Sequence, residues 1–129
     1  MNYWLIKSEP NTWSWEDHKR VGTEPWDGVR NYQASNNMKA MKIGDLAFFY
    51  HSVNQRKIVG VVTVVKEYYP DHTDESGRFG MVDFKAVEDV TYQVTLQDIK
   101  EDPRLAHLPL VKQSRLSVSP IDEDAWKII

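Results

Sequence analysis

The chain has 129 residues, no cysteine and a formal charge of -3, the size of one domain able to bury roughly two-thirds of the surface its unfolded form exposes. Lack of cysteine excludes a disulfide framework and a thiolate zinc site, and net acidity excludes a protein that coats nucleic acid by charge alone. No apolar run reaches the length of a signal peptide or membrane span, so a soluble protein is expected, cytoplasmic or, in a eukaryotic cell, nuclear.

Tyr3-Trp4-Leu5-Ile6 reads as a first strand, broken by Lys7-Ser8-Glu9-Pro10. Ser14 with Asp17 three residues on is a capping-box pattern and Gly22 a stop, which predicts a helix over 14–21. A turn follows through Pro25-Trp26-Asp27-Gly28, then a helix from Asn31 to Lys42 with Ala34, Met38 and Met41 on one face and Gly44-Asp45 ending it. Leu46 to His51 alternates as a strand, with Leu46, Phe48 and Tyr50 on one side and Ala47, Phe49 and His51 on the other. After the loop at 52–56, "IVGVVTVV" sits in a strand over 57–66 that is apolar on both faces, as a central strand is, and its Gly60 marks a bulge or a close approach.

A polar loop over 70–79 leads into an alternating strand with Val82, Phe84 and Ala86 inward. Thr95 and Asp98 repeat the capping box and start a helix running to about Asp102. Pro103 and Pro109 interrupt the next stretch, Arg115 to Ser119 reads as a last strand, and Asp122 caps a C-terminal turn carrying Trp126. No repeat, linker or low-complexity tract divides residues 1–129, which are read as a single domain. Strands closing on themselves with short helices in the connections predict an α+β fold, a small mixed β-barrel.

Catalytic signatures are missing. There is no nucleophile elbow, Walker loop or dinucleotide glycine pattern, and His18, His51, His72 and His107 lack the spacing of metal ligands. No carboxylate pair is placed for acid/base work, so neither an enzyme nor a cofactor is expected. Of the five tryptophans, Trp4, Trp15 and Trp126 are assigned to the core. Trp26, beside Pro25 and Asp27-Gly28, occupies a turn, a costly place for a purely structural indole, and is assigned to a site.

The blocks "YWLIKSEP", "SWED", "WDGVRNYQASNNMKAMKIGDLAFFYHS", "IVGVVTVV" and "LVKQSRLSVSPI" resemble those of the EVE domain family along essentially the whole chain. The resemblance implies a PUA-like fold, shared with PUA, ASCH and YTH domains, and a reader of modified bases. YTH readers of N6-methyladenosine are similar in three features. They carry Lys-Ser after the first strand, a tryptophan after the first helix and a Ser-Val-Asn turn, which correspond to Lys7-Ser8, Trp26 and Ser52-Val53-Asn54. By that carry-over Trp26 is one wall of an aromatic cage, and Phe79 stands where the family usually keeps a second tryptophan.

A base-binding pocket of Lys7, Ser8, Trp26, Asn31, Asn36, Asn37, His51 and Phe79 is therefore expected, with Arg30 and Arg115 on flanking phosphates. Its physics divides the work. A stacked base contributes about 1–3 kcal/mol whatever its identity, and one buried methyl about 0.8 kcal/mol, so sharp discrimination must come from polar groups along the base edge. Plainer roles exist for several members: Ser8 as a turn residue, Asn31 as a helix cap, Asn37 on a helix surface, and Arg56 and Lys112 as solvated cations. The expected partner is nucleic acid carrying a methylated or hydroxymethylated cytosine or N6-methyladenine, with any effector nuclease or repair protein acting in trans. Two alternatives stand beside it. One is a small-metabolite pocket; the other is a hydrolase of acylated nucleosides, as in some ASCH relatives that use a lysine, with Lys7 as nucleophile.

Overall fold

The alternation of residues 46–51 decides the architecture. In the computed structural model, which describes residues 1–129, strand β1 (Tyr3–Ser8) runs parallel to β3 (Leu46–His51), from Tyr3 opposite Leu46 to Ser8 opposite His51. Ala47 and Phe49 join one apolar cluster with Trp4, Ile6, Trp15 and Trp26. Phe48 and Tyr50 join a second with Leu5, Ile58 and Ile99. The sheet is thus covered on both faces, which is why its central strands carry few polar residues.

β2 (Thr23–Pro25), β4 (Lys57–Pro70), β5 (Gly80–Asp89) and β6 (Val118–Ile121) complete one six-stranded sheet in the order β2-β5-β4-β3-β1-β6. All pairings except β1 with β3 are antiparallel. Between β3 and β4 the register slips: Phe49 faces Gly60 while Tyr50 faces Ile58, so Val59 is an extra residue. This bulge, with a second slip against β5 between Val61 and Val62, lets Val59 and Val62 reach the same cluster although their positions differ in parity.

Gly60 is the residue that the close approach of Trp15 requires. A Cβ there would lie 2.2–2.6 Å from three carbons of the Trp15 indole. That ring cannot yield easily, because its Nε1 donates to Asp89 Oδ1 at 2.7 Å and the Trp15 backbone N–H donates to His51 Nε2 at 2.9 Å. Gly60→Ala is expected to lower stability by about 1–3 kcal/mol through overpacking, read as a drop in urea midpoint at unchanged m-value; an unchanged midpoint would show that the indole moves freely.

Short helices fill the connections: α1 (Trp15–Val21), α2 (Tyr32–Lys39), α3 (Leu96–Glu101), α4 (Pro109–Lys112) and α5 (Glu123–Ile128). Ser14 with Asp17 and Thr95 with Asp98 form complete capping boxes, while Asn31 and Asp122 cap α2 and α5. Several boundaries differ from expectation, among them the end of β4, which runs on past Lys66 to Pro70. α2 stops at Lys39, because buried Asp45 draws the chain into a turn by accepting from Lys42 N at 3.1 Å and from the Trp4 indole at 3.0 Å. Residues 23–25, the last of which is expected to open a turn, form an edge strand, where Pro25 is tolerated. The last strand begins at Val118, leaving Arg115 in the preceding turn.

The expected closure of the strands on themselves is corrected to an open sheet. β2 and β6 are its two edges and do not pair. α2 covers the gap: Asn37 Nδ2 donates to Val118 O on β6 at 2.7 Å, and Ser35 Oγ lies 2.9 Å from Tyr68 Oη on β4. A helix thereby shields an edge that a further strand would otherwise have to pair. No helix is long and apolar enough to cross a membrane.

Candidate functional site

A cleft of about 480 Å³ opens between the end of β1 with its following turn and the segment 24–31. Local hydrogen bonds shape both lips. On the first, Ser8 Oγ donates to Trp13 O and closes the turn, so the Trp13 ring is carried over the cleft. Its edge is anchored: Trp13 Nε1 donates to His18 Nδ1 at 3.1 Å, and His18 Nε2 lies 2.9 Å from Phe84 O. These two partners assign the neutral tautomer with hydrogen on Nε2, and burial holds the imidazole below its ordinary pKa. Protonation in acid would therefore eject the acceptor that fixes Trp13.

The second lip depends on Asp71. Its buried carboxylate accepts from Gly28 N at 2.8 Å and Arg30 Nη1 at 3.1 Å, while Thr73 donates from its backbone at 2.7 Å and its hydroxyl at 2.6 Å. Gly28 adopts φ +78°, a conformation that side chains disfavour, so the chain can turn its N–H onto that carboxylate. Desolvation pushes the Asp71 pKa up, but the Thr73, Gly28 and Arg30 hydrogen bonds outweigh it and hold the acid at about 2. Arg30, further tied to Thr73 Oγ1 at 2.9 Å, is thus held beside the cleft.

Of the residues expected in the pocket, Lys7, Ser8, Trp26 and Asn31 line this cleft, and so does Arg30, expected on a flanking phosphate. Each is also engaged elsewhere. Trp26 is only 8% exposed, and its ring makes edge contacts with Phe49 and Phe84 at centroid distances of 5.6 and 5.8 Å. Asn31 spends its carbonyl on Ala34 N, leaving its amide group to the cleft. Lys7 shares the strand face of Leu5 and Tyr50; its ammonium donates to Ser114 O at 3.0 Å, and burial lowers its pKa.

Asn36, Asn37, His51, Phe79 and Arg115 stand outside the cleft. Asn36 is exposed on α2, and Asn37 holds β6. His51 is buried between the Trp15 N–H and the Gln55 side chain, the latter at 2.7 Å. Phe79 packs on Tyr32 at 5.0 Å with the Arg30 guanidinium 5.7 Å from its ring, behind the second lip. Arg115 is exposed in the turn before β6.

The aromatic that joins Trp26 in the cleft is Trp13, and the polar side chains missed in the sequence are Glu9, Thr12, Glu24, Asp27 and Ser117. Burial, then the nearby charges of Asp27 and Asp83, raise the Glu24 pKa above its ordinary value. The alternation Thr23-Glu24-Pro25 is too short to reveal that this carboxyl turns inward.

The family model described as "EVE domain" matches residues 2–129. Thymocyte nuclear protein 1 of Mus musculus is 36% identical over 162 residues, spanning 99% of this chain and 72% of that protein. A solution structure of a Rhodopseudomonas palustris protein superposes with a TM-score of 0.94 at 47% identity, covering 100% of this chain and 90% of the other. The human THYN1 protein, crystallised in complex with 5-methylcytosine containing DNA, superposes with a TM-score of 0.93 at 33% identity, covering 99% and 95%. The open mixed sheet with short helices is PUA-like, and the chain belongs to the EVE domain family.

Proposed function

We propose that this chain is a non-catalytic module that reads a modified base in nucleic acid, with the base received in the cleft between the β1 turn and segment 24–31. The observation that carries the reading is the convergence of two indoles with hydrogen-bonding groups in one cleft: Trp13 and Trp26 beside Ser8, Glu24 and Asn31. Aromatic rings capture a base face with little regard to identity. A carboxyl and an amide along the edge supply the discrimination, since carboxylates accept from the exocyclic amine of cytosine. The likeness to human THYN1, held with 5-methylcytosine containing DNA, supports methylcytosine as the first modification to examine. Lys7 as a hydrolytic nucleophile gains no support, because its ammonium is directed to Ser114 O on the other face of β1.

The test is fluorescence anisotropy at one fixed salt concentration, using single- and double-stranded DNA and RNA with plain, 5-methyl- and 5-hydroxymethylcytosine and N6-methyladenine. Wild type is expected to favour one modified form, by at least the roughly fourfold that a buried methyl provides. Trp13→Ala, at a partly exposed ring, is expected to weaken binding by about 5- to 150-fold, the equivalent of one lost stack. Equal affinity for every probe, unmoved in the variant, would sink the reading.

A further inference from the structure

A second cleft, of about 280 Å³, lies across β1 from the first, and its lining includes no aspartate or glutamate. It contains Lys7, Arg56 and Lys100, none of which forms an ion pair. In a chain with net charge -3, three cations around one cleft with no acid in its lining make a local excess of positive charge.

Its wall adds a hydroxyl donor. The Tyr50 ring is buried, and its hydroxyl, which has no partner within the chain, keeps access to the cleft. Burial raises the Tyr50 pKa, so the group stays a donor at neutral pH. The loop beside it is unusually shaped: Val53 and Arg56 have φ of +69° and +50°, a rare and strained state for a β-branched residue. Arg56 Nε donates to Val53 O at 2.8 Å, which leaves its terminal N–H groups free. Ser52 N donates to Ser8 O at 2.9 Å and ties this loop to the end of β1.

We propose that this second cleft binds a phosphate group through Lys7, Tyr50, Ser52, Arg56 and Lys100. Ammonium, guanidinium and hydroxyl donors converge there with no acidic side chain to compete, which is the complement of a tetrahedral oxyanion. Lys7 lines both clefts, so a strand with its base in the first would set a neighbouring phosphodiester in the second. That extension rests on the base-reading function proposed above; the phosphate site itself does not.

The experiment uses the full chain as wild type, as Arg56→Gln/Lys100→Gln and as Tyr50→Phe. Binding of a single-stranded 5-methylcytosine oligonucleotide is measured between about 50 and 200 mM salt, where each neutralised phosphate contributes roughly 0.7 to the log–log slope. The double variant is expected to flatten the slope by about 0.7 for each phosphate it no longer engages, while the ratio of methylated to plain affinity stays unchanged. In parallel, inorganic phosphate is titrated against chloride, following the amide NMR signals of residues 50–56. Tyr50→Phe should keep its Tm and lose much of that response, since its hydroxyl contributes nothing to the fold. Phosphate-dependent shifts without a slope change support the cleft with free phosphate as its source. Shifts that persist when no oligonucleotide binds remove the base reading and leave this site. An unchanged slope together with no phosphate response overturns the proposal, even where Trp13→Ala abolishes base preference.

Discussion

Trp26→Ala is expected to destabilise the protein by about 3–5 kcal/mol, the cost of removing a large buried aromatic. The indole belongs to the larger apolar cluster, where Phe49, Phe84 and His18 surround it at centroid distances of 5.6, 5.8 and 6.1 Å. Its backbone also joins the sheet margin, donating from N to Val82 O at 2.8 Å, and that bond survives substitution. The lost energy is therefore that of ring packing and of the cavity left behind. Against a typical total of about 5–15 kcal/mol, this removes a large fraction of the fold's stability. Loss of nucleic-acid binding in Trp26→Ala would thus report unfolding as readily as a missing cage wall. Trp26→Phe, which keeps a ring, should retain most of the urea midpoint and separates the two effects. A midpoint for Trp26→Ala close to wild type would show that the indole is a free wall rather than core.

Asp71→Ala is expected to cost about 2–4 kcal/mol, because it strips the buried acceptor from the Gly28 and Thr73 donors and removes the ion-pair partner of Arg30. The wild-type carboxyl also predicts acid sensitivity. Its folded pKa of about 2 lies below the ordinary 3.8, so its contribution is present above pH about 4 and fades as pH falls towards 2. A shift of that size in a side chain with 0% exposure corresponds to about 2 kcal/mol. Asp71→Asn preserves shape but turns one acceptor into a donor facing other donors. It should lower Tm at neutral pH and flatten the Tm profile between pH 4 and pH 2. Because Gly28 and Arg30 form the second lip, base affinity should fall in the same variants under conditions where they remain folded. Identical acid profiles for Asp71→Asn and wild type would overturn this role.

Both variants act through side chains whose partners are far apart in the chain, and this separates what the sequence makes legible from what it hides. Ser14 with Asp17, Thr95 with Asp98 and the Asp122 cap are legible because a cap closes within three residues, inside the reach of local chemistry. The two-sided burial of residues 46–51 is legible because a strand alternates with period two, whatever it packs on. Gly60 carries its own signal, since a glycine within an apolar strand implies close approach.

The sequence by itself therefore determined the family, the two faces of the central strands, the starts of α1, α2, α3 and α5, and that Lys7-Ser8 and Trp26 deserved to be sought together, as they are found along one cleft. Tertiary structure alone decided that the sheet stays open under α2, since strand closure depends on which edges meet rather than on any local pattern. It also sent His51, Asn37 and Phe79 to hydrogen-bonding or packing duties and brought Trp13 and Glu24 into the cleft. Those assignments turn on pairings across tens of residues, such as Asp71 with Gly28 and His18 with Phe84. Side-chain type gives a residue its chemistry; only the folded chain chooses the partner on which that chemistry is spent.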